Sequence, residues 1–186
     1  MKPFVLALVL AVSAVGTGAA ATVEVPADMV PCQLHALSVD DDPAGLNVRA
    51  APSASAAVLA RLPKWTKADN GPYPELTILG FKDGWFLIEG AHYGDYGDPP
   101  PPKPLYAGRG WVHGSKLGGT LMGGDQSSRI LMEPRAGAPR VSVKGKADSA
   151  DVRALLECKG DWAKVRTGVG TGWARGICAN QVTTCN

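Results

Sequence analysis

Apolar and polar residues alternate along short stretches of this chain, and apolar positions nowhere recur at helical spacing. LNVRAAPS (46–53) sets Leu46 and Val48 against Asn47 and Arg49 before Pro52 stops the run. A period of two is that of a half-buried strand. ELTILGFK (75–82) and WFLIEG (85–90) follow, joined by Asp83-Gly84, a two-residue hairpin turn, and Gly110-Trp111-Val112 opens a last strand. The same order then returns: ILMEPRAG (130–137) stands for LNVRAAPS, VRALLEC (152–158) for ELTILGFK and WAKVRTG (162–168) for WFLIEG. Two phrases carry the repeat most plainly, KDGWFLI with GRGWVHGSKL and KGDWAKV with GTGWARGI. Self-similarity in a fixed order means two copies of one small module. The pattern predicts an all-β chain whose copies each end in one short 3₁₀ turn. Gly118-Gly119 and Gly123-Gly124-Asp125 show no strand pattern and place the boundary at 118–128. Residues 22–44 read as a lead-in that ends in the turn Asp40–Gly45.

The copies differ by one insertion. Their tryptophan pairs, Trp85 with Trp111 and Trp162 with Trp173, show that the first copy carries about fifteen extra residues in one hairpin. Pro99 to Pro102 and Pro104 hold that insertion as a polyproline II rod, which cannot join a central strand. The rod is expected to fix the positions of Tyr93, Tyr96 and Tyr106. Asp95 and Asp98 lack the further spaced ligands of a calcium loop, so no metal and no cofactor is expected.

The first residues set the compartment. Lys2, the apolar run Phe4–Val15 and Ala19-Ala20-Ala21 make residues 1–21 a secretory signal peptide. The run is shorter than the roughly 20 residues that span a bilayer, and no later one exceeds it. The mature chain is therefore expected in the periplasm or secreted, without an integral membrane segment. A net charge of +2 gives no basic footprint for nucleic acid. Cys32, Cys158, Cys178 and Cys185 are an even set in an exported chain and favour disulfides, with connectivity left open. Cys32 precedes the first copy and the others lie in the second. Any complete intramolecular pairing thus staples the N-terminal segment onto the second copy and packs the two together.

No catalytic set is visible. His35, His92 and His113 are isolated in sequence, there is no G-x-S-x-G, and the glycines at 118–124 and 168–172 lack the lysine of a phosphate loop. Cys32 in PCQLH lacks the strand-to-helix setting of a nucleophile. The chain is expected not to be an enzyme.

LNVRAAPS, the L-x-I-L-G strand, DGWFLI and GRGWVHGSKL together resemble the bacterial SH3-type (SH3b) domain, a small, partly open barrel of five or so strands. GDWAKVR and GTGWARG extend the resemblance to the second copy, although MEPRAG departs from the N-V-R-x-x-P wording. The resemblance covers about 45–180. It implies two tandem SH3-like barrels, at 45–118 with the proline-rich insertion and at 128–186, forming an exported recognition module linked to the cell wall. Trp85, Trp111, Trp162 and Trp173 are expected to plug the barrel mouths, since a domain of this size leans on each large aromatic. Trp65, Tyr73, Tyr93, Tyr96 and Tyr106 fall in loops and are the candidate ligand-binding aromatics, with Arg49 as a candidate for ligand carboxylates. The expected partner is peptidoglycan or, alternatively, an envelope protein; aromatic grooves serve both.

Overall fold

The computed structural model describes residues 22–64, 73–94, 104–121, 130–142 and 151–179. The signal-peptide region, Trp65, Tyr96, Pro99 to Pro102 and Cys185 lie outside them. Eleven strands form: β1 (Val30–Ser38), β2 (Leu46–Arg49), β3 (Val58–Leu62), β4 (Glu75–Lys82), β5 (Trp85–His92), β6 (Tyr106–His113), β7 (Leu117–Leu121), β8 (Asp151–Lys159), β9 (Trp162–Thr167), β10 (Thr171–Ala174) and β11 (Ile177–Cys178). They join in one open antiparallel sheet of order β10-β9-β8-β7-β1-β4-β5-β6-β2-β3, with β11 against β7. The protein is all-β; among the described residues the one helical element is the 3₁₀ turn Gly114–Lys116 before β7. The second copy has a bend at Arg175 in that place.

Alternation gives one face of the sheet to the core. Val48, Ile78, Phe86, Ile88 and Val112 from the first half meet Ile130, Leu155, Ala163 and Val165 from the second in a continuous buried cluster. The Asp83-Gly84 hairpin forms as expected, with Lys82 opposite Trp85. Both turn residues are left-handed, at φ 47° and 84°, which matches the twist of the flanking strands.

Strand pairing repeats within the chain. In the first half β2 pairs β3 and β6, β6 pairs β5, β5 pairs β4, β4 pairs β1, and β1 pairs β7. In the second, Leu131 bridges Arg140 and Trp173, then β10 pairs β9, β9 pairs β8, β8 pairs β7, and β7 pairs β11. Arg49 faces Trp111 as Leu131 faces Trp173. A Cβ on Gly110 would fall 2.3 Å from Val48 Cγ1, and one on Gly172 2.5 Å from Ile130 Cγ2. This register shifts the sequence alignment by two residues: Val48-Arg49-x-x-Pro52 matches Ile130-Leu131-x-x-Pro134. MEPRAG was paired to the wrong residues because only the bridge at Leu131, not a strand, marks the place.

Two further sequence readings change. The lead-in 22–44 contains β1, whose Cys32, Leu34 and Ala36 face inward while Gln33 and His35 face solvent. Gly118 and Gly119, read as a strandless boundary, lie inside β7. A Cβ at Gly118 would sit 2.6 Å from Val152 O, and one at Gly119 2.8 Å from Cys178 O. The glycines are there because neighbouring backbone passes too close for any side chain.

Cys32 and Cys158 form a disulfide with their Cα atoms 6.0 Å apart, joining β1 to β8 as the cysteine arithmetic required. Gln33 N donates to Gly160 O at 2.9 Å and Gly160 N to Pro31 O at 3.2 Å beside it. Cys178 is also disulfide-bonded, and no cysteine among the described residues is free. No helix among them is long and apolar enough to cross a membrane.

Candidate functional site

The Asp40–Gly45 loop, β2, the start of β5 and the end of β6 enclose a groove of about 180 Å³. Its lip is acidic. Asp40, its side chain 6% exposed, accepts from Lys116 Nζ at 2.8 Å and from Asp42 N at 3.2 Å. Asp42 Oδ1 accepts from Ala44 N at 2.8 Å and its carbonyl from Gly45 N at 2.8 Å, closing the loop on itself. Gly45 stands at φ 77°, and a Cβ there would lie 2.1 Å from Leu62 O, so the loop needs glycine. The bond to Asp40 raises the Lys116 pKa above its usual value against the cost of burial, and Asp41 and Asp42 add to the effect. Lys116 is thus a fixed cation behind the carboxylates.

Trp85 forms the wall. Its ring meets His113 edge-on at 5.1 Å, opposite it in register. His113 Nδ1 and Ser115 Oγ lie 2.8 Å apart, and Nδ1 also accepts from Ser115 N, so the imidazole caps the 3₁₀ turn. No carboxylate among the described residues holds its other nitrogen, so this Ser-His contact is a cap and not an activated nucleophile. Arg49 closes the groove on the β2 side, with Nη1 donating to Ala56 O at 2.7 Å. An aromatic wall in a groove lined by carboxylates and cations suits a charged ligand. No cluster of three metal-binding side chains occurs among the described residues.

The predicted tyrosines lie elsewhere. Tyr73 immediately precedes β4, Tyr93 follows β5 and Tyr106 begins β6, all at the end of these strands remote from the Asp83-Gly84 turn. Tyr73 lines a separate cavity of about 320 Å³ between β1, β7 and β8; burial and then the charge of Asp151 raise its hydroxyl pKa. Burial raises the Tyr106 pKa as well, and its hydroxyl donates to Arg109 O at 2.6 Å. Tyr93 is half-buried, its carbonyl 2.9 Å from His92 Nδ1. Arg49 therefore reaches the groove without them, and the aromatic beside it is Trp85. Asp40, Asp42, His113 and Lys116 were not singled out from sequence; the acidic run at 40–42 was the available pointer, read only as a turn.

The other tryptophans divide. Trp111 is fully buried and its Nε1 donates to Glu24 O at 2.7 Å. Trp162 and Trp173 are half-buried on the opposite surface from the core, each beneath a cation, with Arg175 at 5.3 Å and Lys164 at 6.0 Å from the ring centres.

Compared with protein-family models, curated proteins and solved structures, the chain matches none.

Proposed function

We propose that this is an exported, non-catalytic binding protein of two tandem SH3-like repeats, and that the groove of the first repeat holds the peptide part of peptidoglycan. The repeated pairing order, the matched Gly110-Val48 and Gly172-Ile130 contacts and the 3₁₀ turn before β7 support the tandem SH3-like reading. The Cys32–Cys158 disulfide supports an oxidising compartment, periplasmic or extracellular. One observation carries the ligand class: Trp85 and Arg49 line about 180 Å³ together with Asp42 and the Asp40–Lys116 ion pair. That volume is below the usual range for a whole small molecule, and suits a side chain with its flanking peptide. Stem peptides bring carboxylates and, at a diamino acid, an ammonium group, which suit Arg49 and Asp42 respectively.

Co-sedimentation of the oxidised mature protein with purified sacculi tests this. Trp85→Ala removes the wall and is expected to weaken retention roughly 30-fold, the loss of an anchor worth about 2 kcal/mol. Asp42→Asn weakens it less, and acetylating the diamino-acid ammonium reproduces that loss on the wild type. Retention unchanged by Trp85→Ala would move the ligand out of this groove. A second reading, an envelope adaptor that binds protein, is favoured by one observation: the chain already holds an extended peptide of its own against its sheet.

A further inference from the structure

Residues 22–29 cross the outer face of the first repeat as a strap that ends in a turn at Ala27-Asp28, where Met29 N donates to Pro26 O at 3.1 Å. Glu24 N donates to Ala50 O at 2.7 Å at the end of β2, and Glu24 O accepts from Trp111 Nε1 at 2.7 Å on β6. The Met29 side chain lies against Gly80 of β4, where a Cβ would fall 2.3 Å from its Sδ. Asp28 pairs with Lys82 at 2.7 Å at the end of β4. Beneath the strap Ala50, Leu87 and Trp111 are 9%, 1% and 0% exposed, although they point away from the core that Phe86 and Val112 enter.

Among the described residues no segment crosses the same face of the second repeat. Lys159 stands opposite Trp162 as Lys82 stands opposite Trp85, and Lys164 opposite Trp173 as Leu87 stands opposite Trp111. Met132, the counterpart of Ala50, is 62% exposed. Trp173 Nε1 has no hydrogen-bond partner among the described residues, whereas Trp111 Nε1 is met by the strap. Lys159 is exposed and has no carboxylate among them, whereas Lys82 has Asp28. Glu157 pairs with Lys164 at 2.5 Å and Asp161 pairs with Arg175, which leaves Lys159 and Arg166 without an ion pair among the described residues. The apolar half of the strap's seat is kept in Trp173, Leu131 and Met132; the rest has turned basic.

We propose that this face of the second repeat binds an acidic peptide segment of a partner protein, laid across β10, β9 and β8 as residues 22–29, with their closing turn at Ala27-Asp28, are laid across β6, β5 and β4. A backbone carbonyl of the segment accepts from Trp173 Nε1, and a carboxylate sits on Lys159 in the place that Asp28 takes on Lys82. Main-chain contact supplies affinity and the basic rim selects for acid, the usual division of labour in the recognition of extended peptides. The occupant differs from the strap at one point. Where Gly80 admits Met29, the second repeat presents Glu157 held by Lys164, so a segment with a small residue there fits and a methionine does not.

The test uses the oxidised mature protein labelled with ¹⁵N, whose five tryptophans give resolvable indole signals. It is titrated with a synthetic peptide copying residues 22–28, which carries both strap carboxylates and lacks the methionine, and with a copy in which Glu and Asp are replaced by Gln and Asn. Trp173 serves as reporter, assigned with Trp173→Phe. The acidic peptide is expected to shift the Trp173 indole signal saturably and leave Trp111 unmoved, and the neutral copy to bind about fivefold more weakly, the scale of an exposed ion pair. Lys159→Glu should erase the difference between the two peptides while the Trp111 signal stays in place, showing an intact fold. No saturable Trp173 shift at millimolar peptide, or equal shifts with both peptides, would overturn the proposal. So would a shift confined to Trp85, which would place the peptide in the first-repeat groove.

Discussion

Replacing Cys32 and Cys158 together by alanine removes a cross-link that closes a loop with a sequence separation of 126 residues, containing all of the first repeat. In the chain-entropy account, releasing a loop of that length returns about 16 cal/mol/K to the unfolded ensemble, or about 5 kcal/mol at 25 °C. The folded state loses little in exchange. Both cysteines are buried, alanine keeps their β-carbons, and the backbone bonds Gln33 N to Gly160 O and Gly160 N to Pro31 O join β1 to the β8–β9 turn. The effect should therefore appear in the unfolded state. Urea denaturation of wild type and double variant, followed by circular dichroism, should show a loss of roughly 3–5 kcal/mol together with a steeper denaturant dependence, because the freed chain exposes more surface. Reducing the wild type, which also opens the bond at Cys178, should lower stability by at least as much. A loss below about 1 kcal/mol with an unchanged slope would refute the reasoning, since it would mean that the loop is already closed in the unfolded chain.

Gly110→Ala and Gly172→Ala should act as a matched pair. Each drives a methyl into the β-branched residue opposite, Val48 or Ile130, and Gly172 also meets Leu131 O at 2.7 Å. Losses of about 1–3 kcal/mol are expected, larger at Gly172 because a carbonyl cannot rotate away, and thermal denaturation would show it. Acid should loosen the strap. The Lys82 hydrogen bond holds the Asp28 carboxyl below its ordinary value of 3.8. A depressed pKa contributes stability that is complete above the unfolded value and is lost as pH falls through the folded one. The strap should thus loosen below about pH 4 by the few-fold that an exposed ion pair supplies, and Asp28→Asn should give the same small shift of the Trp111 indole signal at neutral pH. A Trp111 signal unchanged to pH 2 would show that Glu24 and Met29 hold the strap without the ion pair.

The strands were legible where alternation was uninterrupted, as in ELTILGFK, WFLIEG and WAKVRTG, and the Asp83-Gly84 hairpin was legible from its turn chemistry. β1 was missed although Cys32, Leu34 and Ala36 alternate with Gln33 and His35, because Pro31 within it and the acidic turn after it read as linker. β7 was missed because its glycines answer to backbone that arrives from β8 and β11, and no local pattern encodes a neighbour more than thirty residues away. The groove was half legible. Arg49 and Trp85 stood out as residue types, but what makes them neighbours is the β2–β6 register, which sequence spacing does not contain. The tyrosines drew attention as loop aromatics, yet the strand ends that carry them face away from that groove.

The shared strand decides what the two repeats can do together. β7 receives β1 through Leu117 and Gly118 and β8 through Gly119 and Thr120, so its two ends serve different repeats without a linker between them. A hinge here would break those ladders, and the Cys32–Cys158 bridge crosses the same junction. The groove of the first repeat and the open face of the second are therefore held at one fixed spacing. A ligand or complex that engages both gains from that span only if its own geometry matches, because a rigid connection offers high effective concentration at one distance and none at others. Divergence of the repeats then has a physical use: the strap seals the face of the first and leaves it the groove, while the second keeps its face open and basic, so one small sheet presents two unlike sites in constant register.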